Sequence, residues 1–388
     1  MAGIDQNVGK SLAVRLAFLL YKYFPYGGMQ RDFKRFVEEV QLRGHHCRVY
    51  YISWQGEQLA GVDLREVPVS ALSNQRRNAR YYDWVTMDLA ADPVDGVIGF
   101  NKMPGLDVYY AADSCYLDKA MEERNWLYRL GSRYRHFSAY ERAVFGPDSE
   151  TEILLISETE KAKFKKYYHT SEQRLHMLPP GISRDRRAPP DAYSRRARAR
   201  NSLGLADTDH ALLFVGSGFI KKGLGRAIRA LATLHGSQPG QRIHLYVVGQ
   251  DKERRFRRLA KSLGVSEFVS FLGGRDDIPN LLLAADALIH PALDEAAGIV
   301  LLEALVAGLP VLVTDVCGYA HHIASAGAGL VIESPFSQQK LDAAVLKTLN
   351  PDFLSACKKN ALAYAQQEDL YSMHKTGAAL IERFIASE

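Results

Sequence analysis

The amino-acid sequence predicts an α/β protein with two doubly wound domains in succession. Short apolar runs rich in β-branched residues alternate with segments of helical periodicity, which is the pattern of parallel sheets covered by helices. A break rich in proline and glycine at residues 178–181 leads into a polar, arginine-dense stretch at 184–200, after which the alternation starts again. The length of 388 residues suits two domains of about 150 to 200 residues each.

In the first half, apolar runs predict strands and the periodic segments between them predict helices. Phe33, Phe36, Val37 and Val40 follow the i, i+3, i+4, i+7 spacing of one helix face, and Gly44 is placed to end that helix. The predicted strands are 13–20, 48–52, 96–100, 108–112 and 153–156. The predicted helices are 30–41, 81–90, 119–144 and 158–168.

The second half repeats the pattern, and each predicted strand is followed by a helical segment. A last helical segment at 372–385 is longer than the second sheet needs, so we expect it to return to the first domain. The predicted N-terminal domain is therefore 12–180, completed by a helix within 370–388, and the predicted C-terminal domain is 181–369. The predicted strands are 211–215, 244–248, 269–271, 287–290, 311–314 and 329–332.

Composition argues against several classes of protein. A hydrophobic fraction of 47% with 24% charged residues is that of a globular chain, and a net charge of +5 is too mild to prove an anionic partner. Cys47, Cys115, Cys317 and Cys357 form no C-x-x-C pair. Neither a zinc site nor a dense disulfide framework is predicted, and a reducing cytoplasm is the simplest interpretation.

Apolar segments are too short to cross a membrane. Residues 12–21 could pass for a signal-peptide core, but Arg15 interrupts them and no small-residue cleavage site follows, so a buried strand is the better interpretation. No other segment approaches the roughly 20 uncharged apolar residues of a spanning helix. Membrane contact is expected to be peripheral. The polar segment 1–11 has no predicted function.

The first candidate motif follows the predicted strand 287–290 and enters a helix. Ligands of open α/β sheets bind at the carboxyl ends of the strands. Gly298 permits close backbone approach, and the N–H groups of Ile299 and Val300 open a helix whose positive end can bind a pyrophosphate. Glu303, one turn later, can accept hydrogen bonds from ribose hydroxyls.

Glu295 precedes this helix in the loop and would then face a sugar. The alternative is an exposed loop glutamate followed by a solvent-facing helix glutamate. For two glutamates at arbitrary spacing that alternative is preferable. Here the intervening glycine and the apolar helix favour function.

The second candidate motif is the glycine-rich turn at 216–223, after the first predicted strand of the second half. Lys221 and Lys222 in this turn can neutralise a leaving diphosphate. The spacing G-x-G-x-x-x-x-G is not a dinucleotide fingerprint, and Leu224 replaces the lysine of a Walker loop. Judged alone, solvated lysines in a flexible turn are an equal alternative.

The third candidate motif is the glycine pair Gly27 and Gly28, after the first strand. Paired glycines bring backbone amides and a helix N-terminus to the edge of the sheet. This signal is weak by itself. Its position opposite the other two motifs, across the cleft expected between two such domains, gives it weight.

The motifs, in this order, resemble those of the family 4 glycosyltransferases of GT-B fold. Residues 295–303 match the E-x7-E motif of that family, and 21–33, 99–109 and 316–321 extend the similarity to its lipopolysaccharide core glucosyltransferases. The resemblance implies a GT-B fold, in which two Rossmann-like domains face each other across a cleft. It also implies a retaining enzyme that needs no metal or other cofactor.

The substrates that the resemblance implies are a UDP-sugar donor, with glucose preferred, and the inner-core heptose of lipopolysaccharide as acceptor. The enzyme would then work at the cytoplasmic face of the inner membrane. Galactose and an amino sugar stay open as the transferred group, because Ala296 and Ala297 beside Glu295 do not decide the choice. Another glycolipid acceptor also stays open.

Individual donor-side roles follow from the resemblance. Gly28 is implied to lie near the donor phosphates, and Lys222 to bind the diphosphate with Lys221 as its basic neighbour. Arg186 is implied to contact the donor. Glu295 would contact the transferred sugar, and Glu303 the ribose.

Asp113 is implied to face the acceptor, and Asp32 less specifically so. Retention requires either a carboxylate nucleophile or attack on the face from which the phosphate departs. Same-face attack is favoured, with Lys222 stabilising the leaving group and the acceptor hydroxyl near Asp113. The predicted catalytic set is therefore Glu295, Lys222 and Asp113.

Metal sites are not predicted. Asp207 and Asp209 form a D-x-D pair, but they lie between a helix and a strand, where a solvated loop is the preferred interpretation. The histidine pairs at 45–46 and 321–322 lack carboxylates or cysteines at ligand spacing.

Residues 116–145 interleave aromatic and basic side chains, which suits an anionic lipid surface or a phosphorylated acceptor. A buried aromatic face with solvated arginines would rank first without the family resemblance. With it, peripheral attachment to the inner membrane is favoured.

Other classes of function fit less well. A nicotinamide oxidoreductase requires G-x-G-x-x-G after its first strand, which is missing. The arginine runs at 184–200 and 254–258 have no nucleic-acid-binding fold around them, so no nucleic-acid partner is predicted. An inactive membrane scaffold is disfavoured only because Glu295, Glu303 and Lys222 are all present.

Overall fold

A computed structural model describes residues 13–25 and 27–386 of the chain. Within them the chain forms two compact units, each around its own parallel sheet. The first unit takes the chain up to Leu155, then Lys161–Leu178, and again from Met373, whereas the second takes Ile156–Glu160 and Pro179–Ser372. The predicted fold class is confirmed. Segment 1–11 and Tyr26 lie outside the described residues.

In the described part of the first unit, seven strands form one parallel sheet in the order β5-β3-β1-β6-β7-β8-β9, and β2 pairs with β4 beside it. The strands are β1 (Arg15–Leu19), β2 (Lys22–Tyr23), β3 (His46–Tyr51), β4 (Ser53–Trp54), β5 (Asp63–Glu66), β6 (Gly96–Gly99), β7 (Val108–Ala111), β8 (Glu152–Leu155) and β9 (Leu175–Met177). The helices are α1 (Gly28–Leu42), α2 (Asn74–Ala91), α3 (Tyr116–Glu122), α4 (Ser132–Phe145) and α5 (Glu158–Tyr168), and the first three residues of α5 belong to the second unit.

The second unit, as far as it is described, holds a six-stranded parallel sheet in the order β12-β11-β10-β13-β14-β15. Its strands are β10 (His210–Val215), β11 (Ile243–Val248), β12 (Val269–Gly273), β13 (Ala287–His290), β14 (Val311–Thr314) and β15 (Gly329–Ile332). Its helices are α6 (Ala192–Ser202), α7 (Leu224–Ser237), α8 (Arg254–Ser262), α9 (Ile278–Ala284), α10 (Ile299–Val306), α11 (Ala320–Ala326), α12 (Gln338–Lys347) and α13 (Pro351–Gln367).

Helix α1 follows the predicted pattern. Phe33, Phe36, Val37 and Val40 are all buried on one face, and burying each such side chain contributes about 1.5–3 kcal/mol. Gly44 has a φ of 92° and donates its N–H to the Gln41 carbonyl at 2.9 Å. The helix therefore ends where the sequence predicts, because glycine adopts this left-handed conformation without a steric penalty.

The last helix of the chain, α14 (Met373–Ala386), belongs to the first unit and packs on α1. A Cβ at Gly377 would collide with the Phe36 ring, so the glycine permits the close approach of the two helices. His374 Nε2 lies 3.0 Å from Asp32 Oδ1, and Arg43 donates to Glu382 at 2.7 Å.

The predicted single helix 119–144 is wrong. The structure divides this segment into α3, a 3-10 turn at Trp126–Leu130, and α4. Asn125 caps the turn by accepting a hydrogen bond from Tyr128 N at 3.1 Å, and Gly131 precedes α4. A side-chain cap and a glycine interrupt helices locally, although the apolar period continues through them.

The arginine-dense stretch contains a helix that the sequence analysis did not predict. Arg196 on α6 donates to the carbonyls at the end of α9, including Ala285 O at 2.6 Å, and Arg200 donates to Ala284 O and Asp209 O. These arginines satisfy carbonyls that the end of a helix leaves unpaired. They hold the second unit together instead of forming a polar linker.

The four cysteines are buried free thiols. Across the described chain, no helix has the length and apolar character needed to cross a membrane.

Candidate active site

The loop after β13 leads into α10 through a glycine with a left-handed backbone. Gly298 has φ 87° and ψ 56°, and α10 begins at Ile299 with Val300 next. Residues that have a Cβ rarely adopt the backbone conformation of Gly298. The first-turn N–H groups of α10 are therefore presented at the carboxyl edge of the sheet, where a helix N-terminus favours an anion.

The turn after β10 lies against this loop. β10 and β13 are parallel neighbours in the sheet, so the segments that follow them meet at one edge. Gly223 is left-handed, and a Cβ there would collide with the Pro291 carbonyl oxygen. Leu293 N donates to Lys221 O at 2.6 Å. Two motifs that are far apart in the sequence are therefore in direct contact, and we call these two segments the paired loops.

Lys222 Nζ contacts Glu295 Oε2 between the paired loops. The Lys222 side chain is only 24% exposed and that of Glu295 14%. The interpretation of solvated lysines therefore fails for Lys222. It fits Lys221 better, because that side chain is 66% exposed and lies 3.4 Å from Asp294.

His290, at the end of β13, lies beside the pair of Lys222 and Glu295. The ring is fully buried, and its Nε2 lies 3.3 Å from Glu295 Oε2. Burial, reinforced by the positive charge of Lys222, lowers the pKa of His290 to about 3. The sequence analysis assigned it no role, although a polar residue at the carboxyl end of a buried strand is a usable signal.

Glu303 is buried on α10, so the alternative of a solvent-facing helix glutamate is wrong for this residue. Its side chain is 9% exposed, and Arg186 Nε lies 3.6 Å from its Oε1. Arg186 belongs to a 3-10 turn, Arg184–Arg186, and its own side chain is 18% exposed. The structure thus brings together two predicted donor residues of the second unit.

The three predicted site residues of the first unit, Asp113, Gly28 and Asp32, differ from one another in exposure and in hydrogen-bond partners. Asp113 is exposed in the loop after β7. Gly28 opens α1, and the position of a Cβ on it is open space. The Asp32 carboxylate accepts from Tyr110 Oη at 2.8 Å and pairs with His374, so both of its oxygens have protein partners.

Glu141 of α4 organises the loop that contains Asp113. It is fully buried, contacts Lys102 Nζ, and accepts from the N–H groups of Tyr116 and Leu117 at 2.7 and 2.9 Å. Although burial opposes ionisation, Lys102 and these donors hold the pKa of Glu141 below its usual value. Lys102 in turn donates to Ser114 O at 2.9 Å, and the network was not predicted.

Comparison with known proteins identifies the family. The family described as "Glycosyl transferases group 1" matches residues 195–364. The lipopolysaccharide glucosyltransferase WaaG of Escherichia coli is 49% identical over 367 residues, which cover 94% of this chain and 98% of that protein. The chain belongs to this family of glycosyltransferases. The resemblance stated from the motifs is confirmed.

Solved structures agree with this assignment. The crystal structure of WaaG, described as a glycosyltransferase involved in lipopolysaccharide biosynthesis, superposes with a TM-score of 0.89 at 49% identity, covering 94% of this chain and 99% of that one. Anabaena HepE in complex with UDP and glucose superposes with a TM-score of 0.73 at 18% identity, covering 95% and 99%. The second likeness concerns the fold alone.

Only one of the two aspartates in the D-x-D pair of this glycosyltransferase is exposed to solvent. Asp207 is exposed, whereas Asp209 is buried and accepts from Ala206 N at 2.9 Å. Arg242 Nε lies 3.7 Å from the Asp209 carboxylate, so the solvated-loop interpretation is wrong for Asp209. No group of three or more metal-ligating side chains occurs within residues 13–25 and 27–386.

The segment 116–145 exposes apolar side chains next to basic ones. Trp126, Leu127 and Leu130 are 63%, 55% and 64% exposed. We call these three the apolar patch. The guanidinium of Arg124 lies over the Tyr128 ring at 5.5 Å and that of Arg133 over the Phe137 ring at 5.0 Å. The aromatic side chains are therefore not all buried.

Proposed function

We propose that this glycosyltransferase transfers glucose from UDP-glucose to the inner-core heptose of lipopolysaccharide, with retention of configuration and without a metal ion. The observation that carries the proposal is the contact of Lys222 with Glu295 beside the N-terminus of α10. Identity of 49% to a lipopolysaccharide glucosyltransferase supports the substrate class. Residues 181–369 are proposed as the nucleotide-sugar domain, and 12–180 with the helix in 370–388 as the acceptor domain.

The second unit has suitable groups for each part of a UDP-sugar. Lys222, Lys221 and the first N–H groups of α10 are positive or hydrogen-donating, as the diphosphate requires. Glu303, held by Arg186, can accept hydrogen bonds from the two ribose hydroxyls. Glu295 can accept from hydroxyls of the hexose. These cationic and amide groups offer the charge balance that a divalent metal supplies in other transferases.

In the proposed reaction, the bond between the anomeric carbon and the phosphate oxygen breaks, and its electron pair leaves with UDP. Lys222 stabilises the negative charge that develops on the β-phosphate. The heptose hydroxyl forms the new bond on the same face, and its proton passes to the departing phosphate oxygen. Asp113 is the acceptor-side carboxylate of the first unit.

Membrane attachment belongs to the same proposal. The apolar patch and its basic neighbours, Arg124, Arg129 and Arg133, suit insertion of apolar side chains below anionic headgroups. Such attachment at the cytoplasmic face of the inner membrane would bring the enzyme to a membrane-borne acceptor.

The test is transfer from a panel of UDP-sugars to heptose-terminated core lipid in the presence of EDTA. We expect glucose transfer by the wild type and a loss of about 100-fold or more in Glu295→Ala, with UDP affinity retained. Glu267→Ala, which removes an exposed carboxylate of the same unit, is the control and should remain active.

Different outcomes separate the alternatives. Transfer of galactose or an amino sugar would replace glucose as the donor group and leave the mechanism standing. Transfer only to another glycolipid would overturn the acceptor. A folded wild type that binds UDP and transfers no sugar to any lipid would support an inactive scaffold.

A further inference from the structure

His290 lies behind the Glu295 carboxylate, at the end of β13. It is fully buried, and its ring stacks against Phe214 with a centroid distance of 6.2 Å and an interplanar angle of 20°. One ring nitrogen, Nε2, is 3.3 Å from Glu295 Oε2. The other, Nδ1, has no hydrogen-bond partner within the described chain. Only one of the two ring nitrogens therefore has a polar partner, and that nitrogen points to the candidate active site.

The chemistry of the two groups determines which nitrogen carries the proton. An ionised carboxylate can only accept hydrogen bonds, so Nε2 must be the donor. A neutral imidazole has one N–H, and Nδ1 is then bare. This tautomer also explains why Nδ1 can stay buried without a partner, since an unpaired buried acceptor costs less than an unpaired buried charge.

Glu295 Oε2 is shared between two donors, Lys222 and His290. A diphosphate carries more negative charge than one carboxylate and would compete for the Lys222 ammonium. His290 cannot follow Lys222 to the phosphate, because it is neutral and its Cα belongs to a strand inside the sheet. It is the donor that stays with Glu295 when Lys222 turns to the leaving group.

We propose that His290 is a positioning residue, whose Nε2–H keeps the Glu295 carboxylate directed at the sugar while Lys222 binds the diphosphate. The proposal depends on the function proposed above and names one further residue of that site. It predicts an effect on catalysis that is separate from UDP binding, because within the described chain the hydrogen-bond partner of His290 is Glu295, which is assigned to the sugar.

Two substitutions of similar size distinguish positioning from packing. His290→Gln places an amide N–H at nearly the distance of Nε2, whereas His290→Met fills the space without a donor. We expect kcat for glucose transfer to be retained within about threefold in His290→Gln. It should fall about 10- to 100-fold in His290→Met, as for a lost hydrogen bond to a charged group. UDP affinity, measured by calorimetry, should change less than about twofold in both.

Equal activity of the Gln and Met variants, with both folded and binding UDP, would overturn the proposal. A second measurement tests the tautomer directly: the ¹⁵N chemical shifts of histidine in the labelled chain report which nitrogen is protonated. We expect the signals that are missing from either His290 variant to belong to a histidine locked in the Nε2–H form from pH 8 to pH 5. Absence of such a histidine would also overturn the proposal. A wild type that transfers no glucose would refute the proposed function and leave the tautomer test intact.

Discussion

The ammonium of Lys222 contacts the carboxylate of Glu295, although 73 residues separate them in the sequence. The strands that precede them, β10 and β13, are hydrogen-bonded neighbours, so the basic turn and the acidic loop meet at one edge of the sheet. The proposed donor site thus has a cation for the phosphate and a carboxylate for the hexose side by side. The pair is the central feature of the proposed donor site.

Replacing Lys222 by Met preserves the length of the side chain and removes its charge. We expect kcat for glucose transfer to fall by about 10²- to 10³-fold, because the leaving diphosphate loses a fixed positive group. Steady-state kinetics with UDP-glucose measure the effect. Lys261→Met, at an exposed position on α8, is the matched control and should show wild-type rates. A Lys222→Met enzyme with wild-type kcat would contradict the assignment.

The contact of Arg186 with Glu303 predicts coupled effects on donor binding and stability. Glu303→Gln weakens acceptance of ribose hydrogen bonds, and we expect KM for UDP-glucose to rise about tenfold. Arg186→Met leaves a carboxylate that is 9% exposed without its cation, which should lower the free energy of unfolding by about 1–3 kcal/mol. Urea denaturation of both variants and of the double variant measures the coupling. Additive effects would show that the pair does not interact.

The ion pair of Lys102 with Glu141 predicts a large loss of stability on breaking it. Glu141→Ala leaves a buried ammonium unpaired, and we expect a loss of about 3–5 kcal/mol in the free energy of unfolding. The double variant Lys102→Met/Glu141→Gln should recover part of this loss, because no charge is then left alone. Glu38→Ala removes an exposed partner of Lys34 and should cost less than about 1 kcal/mol. Equal losses in Glu141→Ala and Glu38→Ala would be inconsistent with a buried pair.

Stability should fall as the pH drops below the ordinary histidine pKa. Folding lowers the pKa of His290 to about 3, so between about pH 6.5 and 3 the unfolded chain binds a proton that the folded chain does not. This difference favours the unfolded state as the pH falls. For His290 alone the loss is about 2 kcal/mol between pH 7.5 and pH 5.

His290→Gln removes that contribution, since Gln does not titrate. Its free energy of unfolding, measured with urea, should therefore depend less on pH than that of the wild type. Other histidines with lowered pKa values, such as His322, are common to both proteins and cancel in the comparison. Identical pH dependence would show that His290 titrates normally.

The apolar patch predicts binding to anionic membranes. Replacing Trp126, Leu127 and Leu130 together by Ser should weaken binding to phosphatidylglycerol-containing vesicles about 10- to 100-fold, because the apolar area inserted into the membrane is lost. Vesicle co-sedimentation measures the change. The control replaces three other exposed apolar residues of the same unit by Ser, namely Leu42, Leu72 and Met87. Equal weakening by both triple variants would argue against a specific surface.

Periodicity predicted most of the fold because it depends only on residues close in the chain. The predicted strands agree with the observed ones within two residues at either end, and α5 agrees in full. Strands β2, β4, β5 and β9 were not predicted, because β2, β4 and β9 have only two or three residues and β5 has a single apolar one. The segment 119–144 was misjudged because the Asn125 cap acts through one side-chain hydrogen bond, which the apolar pattern does not reveal.

By itself, the sequence determined the fold class and the motifs, because hydrophobic period and glycine position are local properties of the chain. It also identified Lys222 and Glu295 separately. Only the tertiary structure decided that they touch, that Arg186 is held by Glu303, and that His290 is buried with one nitrogen on the same carboxylate. These relationships depend on which strands become neighbours in the sheet and on desolvation there, and both arise from contacts between residues far apart in the chain.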